Sequence, residues 1–331
     1  MTPFTFTEKE DYEKGFSEVY DREIAPYLQE LEEKRQHIEK RRKGWILLLL
    51  LVAAYLAWQA FYLTPMLSIF PIFFGGGFAF LLHISRFDKL KGELTQFIRP
   101  IICGFFKDMT YSDLHQGEDF SVNRLRALHI VPEADRSHFG PSISGKWRDT
   151  AYRMTKATFV NQTRDRDGDR KSTVVFSGIL LEVECPVDMP KIVFLPDFGK
   201  TLNAVFGWAT RNNRPPHQLH FPDEEVEKVF EVYTDDPERA KANLSPDFGR
   251  ILLEFAGDYQ RSSKKHIAAA FEGKRFYLAI DLPHAFMSFD ISSEPLSSCN
   301  DRIHQAMADL MIPRKIIDRL VEGEDVVKEV G

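Results

Sequence analysis

Two stretches of the chain carry no charged residue, and everything else is patterned on shorter periods. The first runs from Trp45 to Leu63, "WILLLLLVAAYLAWQAFYL", and the second from Met66 to Ile84, "MLSIFPIFFGGGFAFLLHI". Each is close to the roughly 20 residues a helix needs to cross the hydrocarbon core of a bilayer. Only Thr64 and Pro65 separate them, so the pattern predicts a helical hairpin with both ends on one side. Lys40, Arg41, Arg42 and Lys43 precede the first span, and Arg86, Lys89 and Lys91 follow the second. The connecting turn has no Lys or Arg. Positive flanks stay on the cytoplasmic side, so both termini are expected in the cytoplasm. A long charged segment before the first span excludes a signal peptide. A hairpin buried in a soluble core is the competing reading, and two adjacent runs of membrane length argue against it.

Within the second span, Gly75, Gly76 and Gly77, with Ala79 four residues beyond Gly75, form a small-residue face. Such a face lets helix backbones approach closely, so packing between the two spans or between protomers is expected. Arg41, Arg42, Lys43, Arg86 and Lys89 fall at the bilayer edge, where anionic headgroups attract them. Trp45, Trp58 and Tyr62 suit the same boundary.

The flanks read as helices. Tyr27, Leu28, Leu31 and Ile38 are the apolar positions of a segment that continues into the first span. Phe87, Leu90, Leu94, Phe97, Ile98 and Ile101 recur at three- and four-residue steps after the second. The simplest geometry is a hairpin whose two arms pack on each other; two separate interfacial helices are the alternative. A break is expected at Pro26, and Pro100 should kink or end the returning arm.

Past about residue 110 the texture changes to a connector with a short helix. From Ile143 onward, period-two and β-branched runs dominate. They predict strands at Thr150–Val160, Thr173–Cys185, Lys191–Leu195, Val226–Tyr233, His266–Phe271 and Phe276–Leu282. "EGK" (Glu272–Lys274) has hairpin spacing between the last two. Helices are expected from Pro237 and from Pro246, the second with Phe248, Ile251, Leu252 and Phe255 on one face. A final helix holds Ile303, Met307, Leu310 and Met311, broken by Pro313. The fold class is therefore α+β: an N-terminal helical segment (1–43), a transmembrane helical hairpin (44–84), a helical arm and connector (85–141), and a cytosolic domain (142–331) with a mainly antiparallel sheet covered by helices.

Composition adds limits. The net charge of -6 over 331 residues gives no global basic character, so no nucleic-acid partner is expected. Cys103, Cys185 and Cys299 are scattered, without a CxxC pair, which argues for a reduced compartment and against structural zinc.

Four polar clusters invite chemistry. "RDRDGDR" (Arg164–Arg170) lacks the glycine and the glutamate that a calcium loop needs at its sixth and twelfth positions; a hairpin turn fits better. His217 and His220 in "PPHQLHF" follow two prolines that oppose a helix, and no third ligand has metal-site spacing. A cysteine nucleophile with His129, His266 or His284 as base has no local signature, so buried thiols are the better reading. In "YTDDPER", Asp236 suits a helix cap, Pro237 the first helical position and Glu238 the positive helix end. Asp235 and Asp236 therefore read as a strand-to-helix corner and not as an active site. No catalytic residue, metal ligand or cofactor is expected.

The order of "ISGKWRDTAYRM" (Ile143–Met154), "FSGILLEVECP" (Phe176–Pro186), "FEVYTDDPERAKANLSPDF" and "AAAFEGKRFYLAID" (Ala268–Asp281) behind a two-span hairpin resembles the bacterial membrane proteins of domain-of-unknown-function family 3137. In "DDPERAKANLSP" the helix is less apolar than the family pattern. The resemblance implies a two-span membrane protein with a cytosolic C-terminal domain, and supplies no catalytic residues. It also implies a membrane-associated partner, a LemA-like protein being the candidate. The expectation is thus a multi-pass protein of the bacterial inner membrane, a binding or scaffold module with the lipid bilayer as one partner and homo-oligomers compatible with the glycine face. The alternative is a membrane-bound, hydrolase-like enzyme whose site assembles only in three dimensions. A small transporter is weaker, because two spans without internal charge line no ion path.

Overall fold

The computed structural model describes residues 4–63, 92–113, 120–164, 170–196, 215–221, 223–245, 248–259, 267–289, 296 and 299–330. The chain divides into two compact units. One comprises Met1–Phe105 and Met287–Met307; the other comprises Phe106–Phe286 and Ala308–Gly331.

The first unit is helical. It contains α1 (Phe16–Val19), a π-helical turn (Tyr20–Ile24), α2 (Ala25–Leu63) and α3 (residues 92–105). Glu8 organises its start. One carboxylate oxygen accepts from Gly15 N at 2.9 Å, Ser17 N at 3.0 Å and the Ser17 hydroxyl at 2.7 Å. The Ser17 hydroxyl, then its N–H, hold this carboxyl below the usual range. No break occurs at Pro26. The preceding turn is π-helical, and Ala25 keeps helical angles (φ -58, ψ -44). A proline offers no N–H and crowds the carbonyl four residues back; the widened turn absorbs that misfit and lets the helix run on.

Pro100 does not end α3 either, which continues to residue 105. A helix-interior proline costs about 3 kcal/mol. Leu94, Ile98 and Ile102 are all fully buried, and each such side chain returns about 1.5–3 kcal/mol, so burial outweighs the proline. The two arms pack as the pattern predicts: the Tyr27 ring stacks on Phe97 at 3.9 Å. α2 carries the first charge-free run without interruption. Several side chains of that run lie outside the described set. Over what is described, no helix is long and apolar enough to cross a membrane.

The second unit is an antiparallel sheet with helices. Its strands are β1 (Met109–Ser112), β2 (Arg136–Trp147), β3 (Thr150–Arg164), β4 (Arg170–Pro196), β5 (His217–Gln218), β6 (Phe230–Thr234) and β7 (Ile267–Asp281). Their order is β1-β2-β3-β4-β6-β5, with β7 also on β4. The helices are α4 (Val122–Ala127), α5 (Glu224–Val229), α6 (Pro237–Asn243), α7 (Phe248–Tyr259) and α9 (Ile312–Val330). Between the units' sequences, α8 (Cys299–Leu310) gives its residues up to Met307 to the helical unit and the rest to the sheet unit.

Three sequence expectations change here. The sheet starts earlier than Ile143, since β2 begins at Arg136. The run Val226–Tyr233 is strand only from Phe230. Its first half belongs to α5, because Asp223 accepts from Glu225 N at 2.9 Å and Glu224, Glu225 and Glu227 crowd the positive helix end. Cap chemistry and the helix dipole outweigh the β-branched valines. Lastly, "EGK" is not a hairpin turn. β7 is one strand antiparallel to β4 from Ala269 to Asp281. The register slips twice: residues 185–188 of β4 face Lys274 alone, and residues 190 and 191 face Glu272 alone. Gly273 sits there, paired with Met189, at φ +60, a left-handed conformation that glycine adopts without strain.

Both faces of the sheet carry apolar side chains. On one face Ala157, Phe159, Phe176, Leu180, Val193, Ala270, Tyr277 and Ala279 pack with Leu125 of α4 and with Phe120, Leu128 and Ile130. On the other, Phe248 of α7 meets Phe271 at 5.0 Å and Phe276 at 5.4 Å. The predicted α7 stripe of Phe248, Ile251, Leu252 and Phe255 is buried. α9 is tied to β2 by Trp147 Nε1 donating to Asp318 at 2.7 Å. Pro313 stands in its first turn, after a break at Met311.

Candidate functional site

β3, β4 and β7 alternate, so residues two apart share a face. From the apolar face, Ala157 leads back through Thr155 to Arg153, Leu180 on to Glu182, and Tyr277 back to Arg275. The three charged residues thus continue the same face beyond the reach of α4. Register seals the arrangement: Arg153 lies opposite Glu182 across β3 and β4, and Glu182 lies opposite Tyr277, next to Arg275.

Glu182 is 9% exposed. Its Oε2 accepts from Arg153 Nη2 at 2.6 Å, and its Oε1 accepts from Arg275 Nη1. A buried carboxylate needs such partners, because desolvation would otherwise disfavour its charge. The Arg153 guanidinium lies 4.7 Å over the Phe120 ring, at the border with the apolar core. Glu182 acts first among the forces that raise the already high Arg275 pKa. Burial, then Glu182, push the Tyr277 phenol up.

This ionic group floors a cleft of about 680 Å³, whose lining includes Thr110, Ser144, Lys146, Glu184 and Lys274. Four cations (Lys146, Arg153, Lys274, Arg275) face two carboxylates (Glu182, Glu184), a formal surplus of two positive charges. Both Glu182 oxygens are already bonded to guanidiniums, so this carboxylate orients cations and is poorly placed as a general base. The geometry suits holding an anionic group.

The sequence candidates fall elsewhere. Gly75, Gly76, Gly77, Ala79, Arg86 and Lys89 lie outside the described residues. Arg41, Arg42 and Lys43 are on α2, with side chains outside the described set. Cys103, Cys185 and Cys299 are buried, and burial pushes each thiol up to about 12. His284 Nε2 pairs with the buried Asp309 at 2.8 Å; His266 lies outside the described residues. His217 opens β5, and His220 Nδ1 approaches Glu227 at 3.3 Å. Among the described residues, no group of three His, Cys, Asp or Glu could hold a metal ion. Arg164 pairs with Arg170 across the ends of β3 and β4, and residues 165–169 between them lie outside the described set.

The acidic corner is as the cap chemistry predicts. Asp236 accepts from Arg239 N at 3.1 Å, and Pro237 opens α6. Asp235 extends the ladder by accepting from Lys191 N at 3.0 Å. Arg239 in turn reaches the β4 bulge, donating to Asp188 O and Oδ2, both at 3.0 Å.

The cleft residues escaped the sequence reading. Arg153 and Glu182 are 29 positions apart, and Arg275 is 93 from Glu182. The available signal was a glutamate inside the apolar run "GILLEVECP", where a buried strand offers no solvent for a charge.

Comparison with known proteins adds a family and little else. No curated protein matches. The crystal structure of the mycobacterial trehalose monomycolate transport factor A, TtfA, aligns at 10% identity over 64% of this chain and 92% of that one, with a TM-score of 0.29. A family model, "Protein of unknown function (DUF3137)", matches residues 174–321. That segment contains Glu182, Glu184, Lys274 and Arg275, and over these residues the chain matches domain-of-unknown-function family 3137.

Proposed function

We propose that the chain is a membrane-anchored binding module of the bacterial inner membrane, in which a two-span hairpin tethers a cytosolic sheet domain. The observation that carries the anchor is on α2. Leu47, Leu48, Leu51, Val52, Tyr55 and Trp58 are 46–67% exposed. An apolar stripe of this size on a water-facing helix is unfavourable, and lipid removes the cost. The run Met66–Ile84, the small-residue face at Gly75–Gly77 and the flanking cations complete the hairpin in this reading. Tethering raises the domain's effective concentration for membrane-borne partners. A LemA-like protein is the partner to which the family resemblance points. Binding is favoured over catalysis by the state of the chemical groups: Glu182 is held by two guanidiniums, and the buried thiols are far from ionised at neutral pH.

Alkaline carbonate extraction of membranes from cells expressing the full chain tests the anchor. Retention in the pellet is expected. Release into the supernatant, or labelling of a cysteine added at the C-terminus by an impermeant reagent on intact cells, overturns the anchor or its orientation. Crosslinking on native membranes then identifies the partner.

A further inference from the structure

The geometry points to the cleft on β2, β3, β4 and β7 as a binding site for the phosphate group of a ligand. The inference deepens the binding reading above and is independent of the anchor.

Its first support is preorganisation. Arg153 and Arg275 are fixed on the two strands that flank β4 by one buried carboxylate of β4, each bonded to a different oxygen of Glu182. An arginine already held needs to lose little freedom on meeting a ligand, and its planar fork matches phosphate oxygens. Arg275 has a side chain 57% exposed, so its fork is reachable from the cleft.

The second support is charge. Lys146 and Lys274 line the same cleft and are exposed. Among the described residues, neither lysine has a carboxylate within salt-bridge distance. A surface lysine without a partner is common alone; two on the rim of a cleft floored by two arginines leave a surplus of two positive charges. A phosphomonoester carries close to two negative charges at neutral pH, whereas a single carboxylate would neutralise half of the surplus. Thr110 and Ser144 add hydroxyl groups, which can donate to phosphate oxygens or accept from the flanking cations.

The third support is the boundary. Sheet faces are normally covered by apolar packing, as α4 covers the other end of this one. Here the strands hold a buried charge triad and an open cavity. Replacing such a triad with apolar residues is often neutral or stabilising, so stability alone gives no reason to keep it at an open mouth.

The phosphate could be free, on a soluble metabolite, or on a lipid headgroup. The test uses the purified full chain in neutral detergent and in nanodiscs, with inorganic pyrophosphate as the soluble probe and phosphatidic acid as the lipid probe. Saturable binding is expected, weakened about tenfold or more, equivalent to about 1.4 kcal/mol, in Lys146→Glu with Lys274→Glu and in Arg275→Gln. All three positions are exposed, and far-ultraviolet dichroism with unchanged thermal unfolding shows that the variants fold. Lys171→Glu with Lys241→Glu makes the same change in net charge away from the cleft and should bind as the parent does. Sensitivity confined to pyrophosphate assigns a soluble ligand; sensitivity confined to phosphatidic acid nanodiscs, against phosphatidylcholine alone, assigns a headgroup. Equal binding of succinate overturns the phosphate assignment. No saturable binding of either probe, or equal loss in the control pair, overturns the site. Neither result alters the outcome of carbonate extraction, so failure here is separable from failure of the anchor.

Discussion

Leu180 and Glu182 stand two residues apart on the same face of β4, yet they belong to different chemistries. Leu180 is 1% exposed among the side chains of β3, β7 and the α4 region. Glu182 is nearly as buried but is surrounded by guanidiniums at the mouth of a cleft. One strand thus carries both a core that needs only shape and volume, and a polar group that needs named partners. The contrast shows that burial alone does not tell a structural position from a binding one; the partners do.

The sharpest way to break this contrast is Leu180→Ala. It should cost about 2–5 kcal/mol of unfolding free energy, as buried leucine truncations do, and leave anion binding in the folded fraction unchanged. Chemical denaturation checks the first part, and a cost below 1 kcal/mol would mean that the apolar end is not a core. Glu182→Gln should cost less, about 1–3 kcal/mol, because Arg153 and Arg275 are partly exposed and water screens their mutual repulsion. Its distinctive sign is functional: pyrophosphate affinity should change by more than it does in Leu180→Ala. Asp236→Ala should cost about 1 kcal/mol, the value of one helix cap, with binding untouched; a folded variant that has lost all function would return that corner to the list of active sites.

The smallest effect is a pH dependence in the helical unit. Glu32 on α2 is held below its ordinary 4.5, first by the hydrogen bond from Arg35. A carboxyl lowered by folding contributes stability that is present above about pH 4.5 and is lost as pH falls through its lower folded value. Being an i,i+3 helix pair, it should contribute about 0.5 kcal/mol. Denaturation at pH 6 and pH 3 on the parent and Glu32→Gln measures it. Equal pH dependence in the two proteins would remove Glu32 from the account.

Much of the local structure was legible because its causes are local. Asp236-Pro237-Glu238 carries a complete helix start, and the stripe from Phe248 to Phe255 carries a buried face. The misreadings share a different cause. Val226–Tyr233 looks like strand until the caps and acids of its first half are weighed. "EGK" looks like a hairpin because spacing alone cannot tell a turn from a bulge; the difference is whether β4 continues alongside, which residues 185–188 decide. The cleft was illegible for the same reason in stronger form. Of Arg153, Glu182 and Arg275 only Glu182 stands out in its own neighbourhood, and only strand register, set over long separations, brings the three together.

The helical unit has its own consequence, in time and not in space. Its last piece, Met287–Met307, supplies His304, whose ring accepts or donates at 2.6 Å to buried Glu13 and stacks on Phe6 at 4.4 Å. Ribosomes add about 5–20 residues each second, so Glu13 and Phe6 wait roughly 15–60 s for that partner. During that interval residues 106–286 of the sheet unit are synthesised. Until then Glu13 has only its local partners, the Lys9 and Glu10 N–H groups on Oε2, and Phe6 only Phe16 and Tyr20, so the N-terminal segment completes its contacts late, when the returning chain brings His304.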